Sequence, residues 1–111
     1  MQVALQPGDA VSVSATGTWG DSAGTTDVNG RSSQIVNGPP DVVPLPGEPI
    51  MLLVGRVGLS GAPFRVGTAR TFTISGVATA RPSLFLAPND RFDTLFDNFG
   101  SLTVTITISR P

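Results

Sequence analysis

Leu102-Thr103-Val104-Thr105-Ile106-Thr107-Ile108 alternates apolar and hydroxyl side chains with a period of two. Successive side chains of a β-strand point to opposite faces, so Leu102, Val104, Ile106 and Ile108 face one way and the three threonines the other. β-Branched residues on both faces suit a pleated, half-buried strand. Val11-Ser-Val-Ser-Ala15 repeats the pattern, with Val11, Val13 and Ala15 on its apolar face. Five further strands are predicted at Val3–Leu5, Leu52–Val57, Phe64–Val66, Thr71–Ile74 and Ser83–Leu86. Turn signals separate them: Pro7-Gly8, Gly58 to Pro63, Ser75-Gly76 and Pro88-Asn89-Asp90. Thirteen glycines and ten prolines, spread along the chain, interrupt every helical window. Some seven short strands at this spacing make an all-β protein, and a β-sandwich in particular.

The chain has 111 residues and 40% apolar content, which is one domain, residues 1–111, with enough material to fill a core. It has no cysteine and no histidine, so thiolate sites, most zinc and copper sites and the usual neutral-pH general base are excluded. All seven basic residues are arginine, scattered from Arg31 to Arg110, and the net charge is −1, so no nucleic-acid partner is expected. No apolar run reaches membrane-spanning length, so no membrane insertion is expected, and no signal peptide is visible. An enzyme is not expected: without Cys, His, Lys or Tyr a catalyst would need an Asp/Glu pair as in glycosidases, Glu48 is the sole glutamate, and Asp90 and Asp97 are better explained as ligands in the loop described next.

Two stretches read as non-strand. Gly20 to Pro49 carries five of the ten prolines, and a connection of that length in a small domain is commonly functional. Pro88 to Gly100 is the other. Within it, Asn89-Asp90-Arg91-Phe92-Asp93-Thr94-Leu95-Phe96-Asp97-Asn98-Phe99-Gly100-Ser101 holds three of the eight acidic residues, two asparagines and a threonine. Oxygen donors crowded in one loop, with no nitrogen or sulfur ligand elsewhere, describe a hard-cation site, and calcium accepts irregular loop geometry better than magnesium does. The plainer reading is that these side chains cap turn amides. The loop lacks the glycine turn and twelfth-position glutamate of an EF-hand. Phe92, Phe96 and Phe99 either pack beneath the loop, the commoner fate of phenylalanine, or present a ring to a sugar, for which Phe92 is best placed between Arg91 and Asp93. Trp19, following the strand Val11–Ala15, is either core or rim.

Several segments in order resemble the PA-IL family, small calcium-dependent galactose-binding lectins of bacteria. They are Pro7-Gly8-Asp9 and Ala15-Thr16-Gly17 around the first strand, Leu53-Val54-Gly55-Arg56-Val57-Gly58, Phe64-Arg65-Val66-Gly67, and Leu84-Phe85-Leu86 leading through Asn89-Asp90 to Asp97-Asn98-Phe99-Gly100-Ser101-Leu102-Thr103-Val104. The resemblance implies a jelly-roll-like β-sandwich of two antiparallel sheets with calcium held by loops at one end. It implies metal ligation by the side chains of Asp90, Asp97 and Asn98 and by the main-chain carbonyls of Thr94 and Trp19. The sugar is expected to place two adjacent hydroxyls on the metal, with Asp90, Asp97 and Asn98 hydrogen-bonding them. The family's long loop carries a histidine and a glutamine that touch the sugar; this chain has Gly38-Pro39-Pro40-Asp41 there, which makes Asp41 an expected sugar contact, in addition to Phe92 from the acidic loop. Single-sugar affinity would be weak, so a homo-oligomer or tandem modules are expected, on a secreted or cell-surface protein. The alternative is a calcium-stabilised structural or adhesion module without sugar binding.

Overall fold

The computed structural model describes residues 2–39, 42–58, 61–74, 82–91 and 99–110, and for Gln2 the backbone only. Nine strands run through them: β1 (Gln2–Ala4), β2 (Ala10–Asp21), β3 (Gly24–Thr26), β4 (Asn29–Val36), β5 (Glu48–Val57), β6 (Phe64–Arg65), β7 (Ala69–Thr73), β8 (Ser83–Pro88) and β9 (Phe99–Ser109). One sheet has the order β1-β8-β5-β4, with β6 also on β5. The second has β3-β2-β7, with β9 along β2. Every pairing is antiparallel. The expected all-β sandwich of two antiparallel sheets is therefore the fold the chain adopts.

Periodicity explains the core. Val11, Val13 and Ala15 of β2 are buried and pack with Leu53, Leu84 and Leu86 of the facing sheet. Leu102, Val104, Ile106 and Ile108 of β9 join this cluster from its margin, half-buried, while Thr103, Thr105 and Thr107 are exposed. A second, smaller cluster of Val36, Val43, Ile50 and Met51 fills the other end, and Trp19 packs against both.

Two segments differ from the sequence reading. β2 continues six residues past Ala15 to Asp21, so Trp19 lies inside a strand rather than after one. The stretch from Gly20 to Pro49, read as non-strand, contains β3 and β4. Asn29-Gly-Arg-Ser-Ser-Gln-Ile-Val36 escaped because it is a sheet-edge strand, mostly polar and exposed, with its register broken between Arg31 and Ile35. Its place is fixed by an ion pair instead of by alternation. Arg31 Nη2 donates to both oxygens of buried Asp21, at 2.7 and 2.8 Å, and Nη1 donates to the Gly24 carbonyl. Pro39, Pro44 and Pro46 lie in loop beyond it, whereas Pro49 is the second residue of β5. At the opposite end, the carboxylate of fully buried Asp9 closes the Pro7-Gly8 turn by accepting from the Gln6 amide, and Arg110 at the exit of β9 donates to it.

Candidate functional site

The site end is built on an irregularity of β5. Met51 sits there with φ of 64°, a left-handed conformation that a buried non-glycine residue adopts only when its surroundings hold it. The local twist puts Ile50 and Met51, neighbours in sequence, into the same small cluster. It also aims the Met51 peptide groups at both other elements of the site. Its N–H donates to the Asn89 carbonyl at 3.0 Å, and its carbonyl accepts the Trp19 indole Nε1–H at 2.8 Å across the sandwich.

Asn89, at the end of β8, is fully buried and fully used. Its amide N–H donates to the Leu52 carbonyl. Its side-chain oxygen accepts from Leu45 N–H at 2.9 Å, and its Nδ2 donates to the carbonyls of Leu45 and Pro49 at 3.0 and 3.1 Å. The proline-rich loop between β4 and β5 is thereby stapled to the root of the acidic segment. A side chain so occupied is a structural clamp rather than a loop oxygen open to a cation. Nothing in the sequence marks the role, since its partners lie 40 or more positions away.

Asp90 follows. It is 4% exposed, and its Oδ1 accepts the Arg91 N–H at 2.8 Å. Arg91 Nη1 reaches the Gly38 position, so the root of the acidic segment lies beside the loop that begins at Asn37. Val42 and Val43 donate to the Pro39 carbonyl there, and buried Val43 anchors the turn.

The acidic segment returns to the sandwich at Phe99, which pairs with Gly20, and Gly100 pairs with Trp19. Gly100 has φ of 97°, and a Cβ there would lie 2.7 Å from the Thr18 carbonyl oxygen and 2.8 Å from the Trp19 Cα, so only glycine permits this close crossing. Phe99 is 53% exposed. The reason is parity: it shares the solvent face of β9 with Thr103 and Thr105, which extending the alternation backwards from Leu102 would have shown. Trp19, left as core or rim, is half-buried, its ring among apolar side chains and its N–H satisfied. Beside it a cleft of about 300 Å³ opens between the sheets, lined by Leu53, Leu86, Leu102 and Val104.

Of the residues expected at the site, Trp19 and Asp90 are thus placed at the same end of the sandwich. Asp41, Phe92, Thr94, Asp97 and Asn98 lie outside the described residues. Among the described residues no group of three or more acidic side chains gathers. What is described is the frame: buried Asp90 where the acidic segment leaves β8, and Trp19-Gly20 against Phe99-Gly100 where it rejoins the sheet.

No family model matches the chain, and no curated protein matches it. Solved structures do match, and they define the class of the fold as a β-sandwich of the kind found in a lectin domain. One such structure is described as "EclA N-terminal domain; PllA-like lectin". It aligns with a TM-score of 0.61 over 96% of this chain and 82% of that one, at 23% sequence identity.

Proposed function

We propose that this chain is a calcium-dependent carbohydrate-binding module that holds a galactose-type sugar by two adjacent hydroxyls on the metal. The observation that supports the reading most is the fold, which matches a domain named as a lectin over nearly the whole chain. The frame adds to it. An oxygen-rich segment with no competing soft ligand starts from a buried carboxylate, and a carboxylate withdrawn from water suits a cation ligand.

In this reading Asp90, Asp97 and Asn98 contribute side-chain oxygens and Thr94 and Trp19 contribute carbonyls. A bound calcium would supply charge–dipole attraction to sugar hydroxyls. The chain's own part is to orient: Asn89 and the Met51 peptide fix the root of the segment, and the Gly20–Phe99 pairing fixes its return. Asp41 and Phe92 are assigned to the sugar. Sugars are heavily hydrated and bury little apolar area, so neutral hydrogen bonds alone give weak binding, whereas charge-assisted contacts are stronger and directional.

The second reading is a structural or adhesion module that calcium only stiffens. The burial of Asp90 favours it, because that carboxylate faces the protein more than the solvent. A glycan array read with calcium and with chelator separates the two. Calcium-dependent capture of terminal galactose-type glycans supports the first. A protein that calcium stabilises but that captures no glycan supports the second.

A further inference from the structure

We propose that Asn37 is a self-modification site, where the chain converts the asparagine to isoaspartate and aspartate through a cyclic imide closed by the Gly38 nitrogen. The inference stands on the fold and on amide chemistry and does not rest on the carbohydrate reading. The tripeptide Val-Asn-Gly occurs twice, as Val28-Asn29-Gly30 and Val36-Asn37-Gly38. Glycine after asparagine leaves the backbone nitrogen unhindered, because no Cβ stands beside it and its dihedrals are free. Both asparagines are exposed and both valines are buried, so neither adjacent residues nor access to water distinguishes the two copies. The backbone does.

Asn29-Gly30 lies inside β4, where Asn29 pairs with Leu52 and Arg31 with Ile50. Gly30 N–H donates to the Asp27 carbonyl at 3.2 Å, and Asn29 N–H donates to Asp27 Oδ1 at 2.9 Å. A Cβ on Gly30 would stand 2.4 Å from the Ile50 carbonyl oxygen, so this peptide is wedged against β5. Ring closure requires the glycine nitrogen to lose its proton and to approach the side-chain carbonyl carbon. At Gly30 that nitrogen is bonded and held. Asn37-Gly38 comes directly after the last residue of β4. Among the described residues no group accepts from the Gly38 N–H and none bonds to Asn37. Arg91 Nη1 lies 3.6 Å from where a Gly38 Cβ would stand. Its positive charge favours the deprotonated nitrogen and the anionic oxygen formed in the attack.

The deprotonated Gly38 nitrogen attacks Asn37 Cγ, the Cγ–Nδ2 bond breaks, and Nδ2 leaves as ammonia with the proton that the Gly38 nitrogen gave up. Water then opens the imide. Cleavage at the side-chain carbonyl gives aspartate, and cleavage at the main-chain carbonyl gives isoaspartate, whose backbone runs through the former side chain. The sum is asparagine plus water to the acid plus ammonia, with no oxidation or reduction. The new carboxylate makes the chain one unit more negative than its present −1 and stands in the loop beside Arg91. Isoaspartate also adds a methylene to the main chain just before Pro39, whose carbonyl accepts the Val42 and Val43 amides. Both changes fall on the loop at the site end, whatever binds there.

Peptide mass spectrometry of the full wild-type chain, aged in mildly alkaline buffer, tests this, with isoaspartyl methyltransferase labelling to identify isoaspartate. One sample stays folded and a second is held in guanidinium chloride. The rate in the folded chain divided by the rate in the unfolded chain is read at each copy of Val-Asn-Gly, so the chain carries its own control and no variant has to fold. Asn37 should convert in the folded chain, with isoaspartate among its products. The ratio at Asn29 should be at least about tenfold lower than at Asn37, because Asn29 must wait for local opening of β4. A ratio at Asn29 equal to or above that at Asn37 overturns the proposal, as does a folded chain in which Asn37 stays intact while the unfolded chain converts.

Discussion

Replacing Asn89 with alanine removes a fully buried amide that joins the end of β8 to the loop around Leu45. Three of its side-chain hydrogen bonds are short, at 2.9, 3.0 and 3.1 Å; a fourth contact, to Glu48 O at 3.4 Å, is too long to count for much. A net hydrogen bond contributes about 1 kcal/mol, and a buried group left without a partner costs about 1–3 kcal/mol. The Leu45 N–H would lose its side-chain acceptor, and the carbonyls of Leu45 and Pro49 would each lose a hydrogen bond. A loss of about 3–5 kcal/mol is expected, a large share of the ~5–15 kcal/mol that holds a domain folded. Water entering the space would bring it to the lower figure. Urea unfolding followed by tryptophan fluorescence measures it directly, since Trp19 is the only tryptophan and bonds to the same framework. Asn89→Asp is the control. It keeps an acceptor for Leu45 N–H but turns a charge toward two carbonyls, which raises the folded-state pKa of the new carboxyl above its unfolded value. The native state then binds more protons, so stability relative to wild type should be highest in acid and fall as the pH rises through that folded pKa. A loss below about 1 kcal/mol for Asn89→Ala, or an Asn89→Asp protein as stable as wild type at neutral pH, would refute the clamp.

Calcium at a hundredfold excess over its Kd should stabilise the fold by roughly 2.7 kcal/mol. Melting in calcium and in chelator should show that Asp90→Ala and Asp97→Ala abolish this increment while Asp93→Ala largely keeps it; the reverse pattern would mean that the ligands are assigned to the wrong residues. At Met51, Leu should cost less than about 1.5 kcal/mol, as volume-conserving swaps do. Val there should cost about 1–3 kcal/mol more, because a β-branched residue resists a left-handed backbone. Equal melting of the Met51→Leu and Met51→Val proteins would show that this conformation is not held.

The sandwich was legible wherever burial is one-sided. β9 and the first half of β2 carry strict alternation because one face meets the core and the other meets water. β4 was not legible, since an exposed edge strand has no apolar face to alternate; its anchor, Arg31 on Asp21, joins residues ten apart whose types also suit a loop. At the site, Asp90 was marked by the crowding of oxygens around it. The groups that hold the site were not. Asn89 acts through backbone partners 40 and 44 positions away, and Met51 through its φ angle, and neither partner nor angle has a local sequence signature. Phe99 is legible in principle, because β9 parity puts it outside, although phenylalanine as a residue type tends to be buried.

Titration calorimetry with galactose, mannose and glucose, each in calcium and in chelator, bears most directly on the proposed function. The account predicts weak binding, strongest for galactose, that disappears when calcium is removed, because the metal supplies the one strong orienting contact with the sugar's adjacent hydroxyls. Sugar binding that persists in chelator would contradict the mechanism, and a protein that binds calcium but no sugar would contradict the assignment as a carbohydrate-binding module.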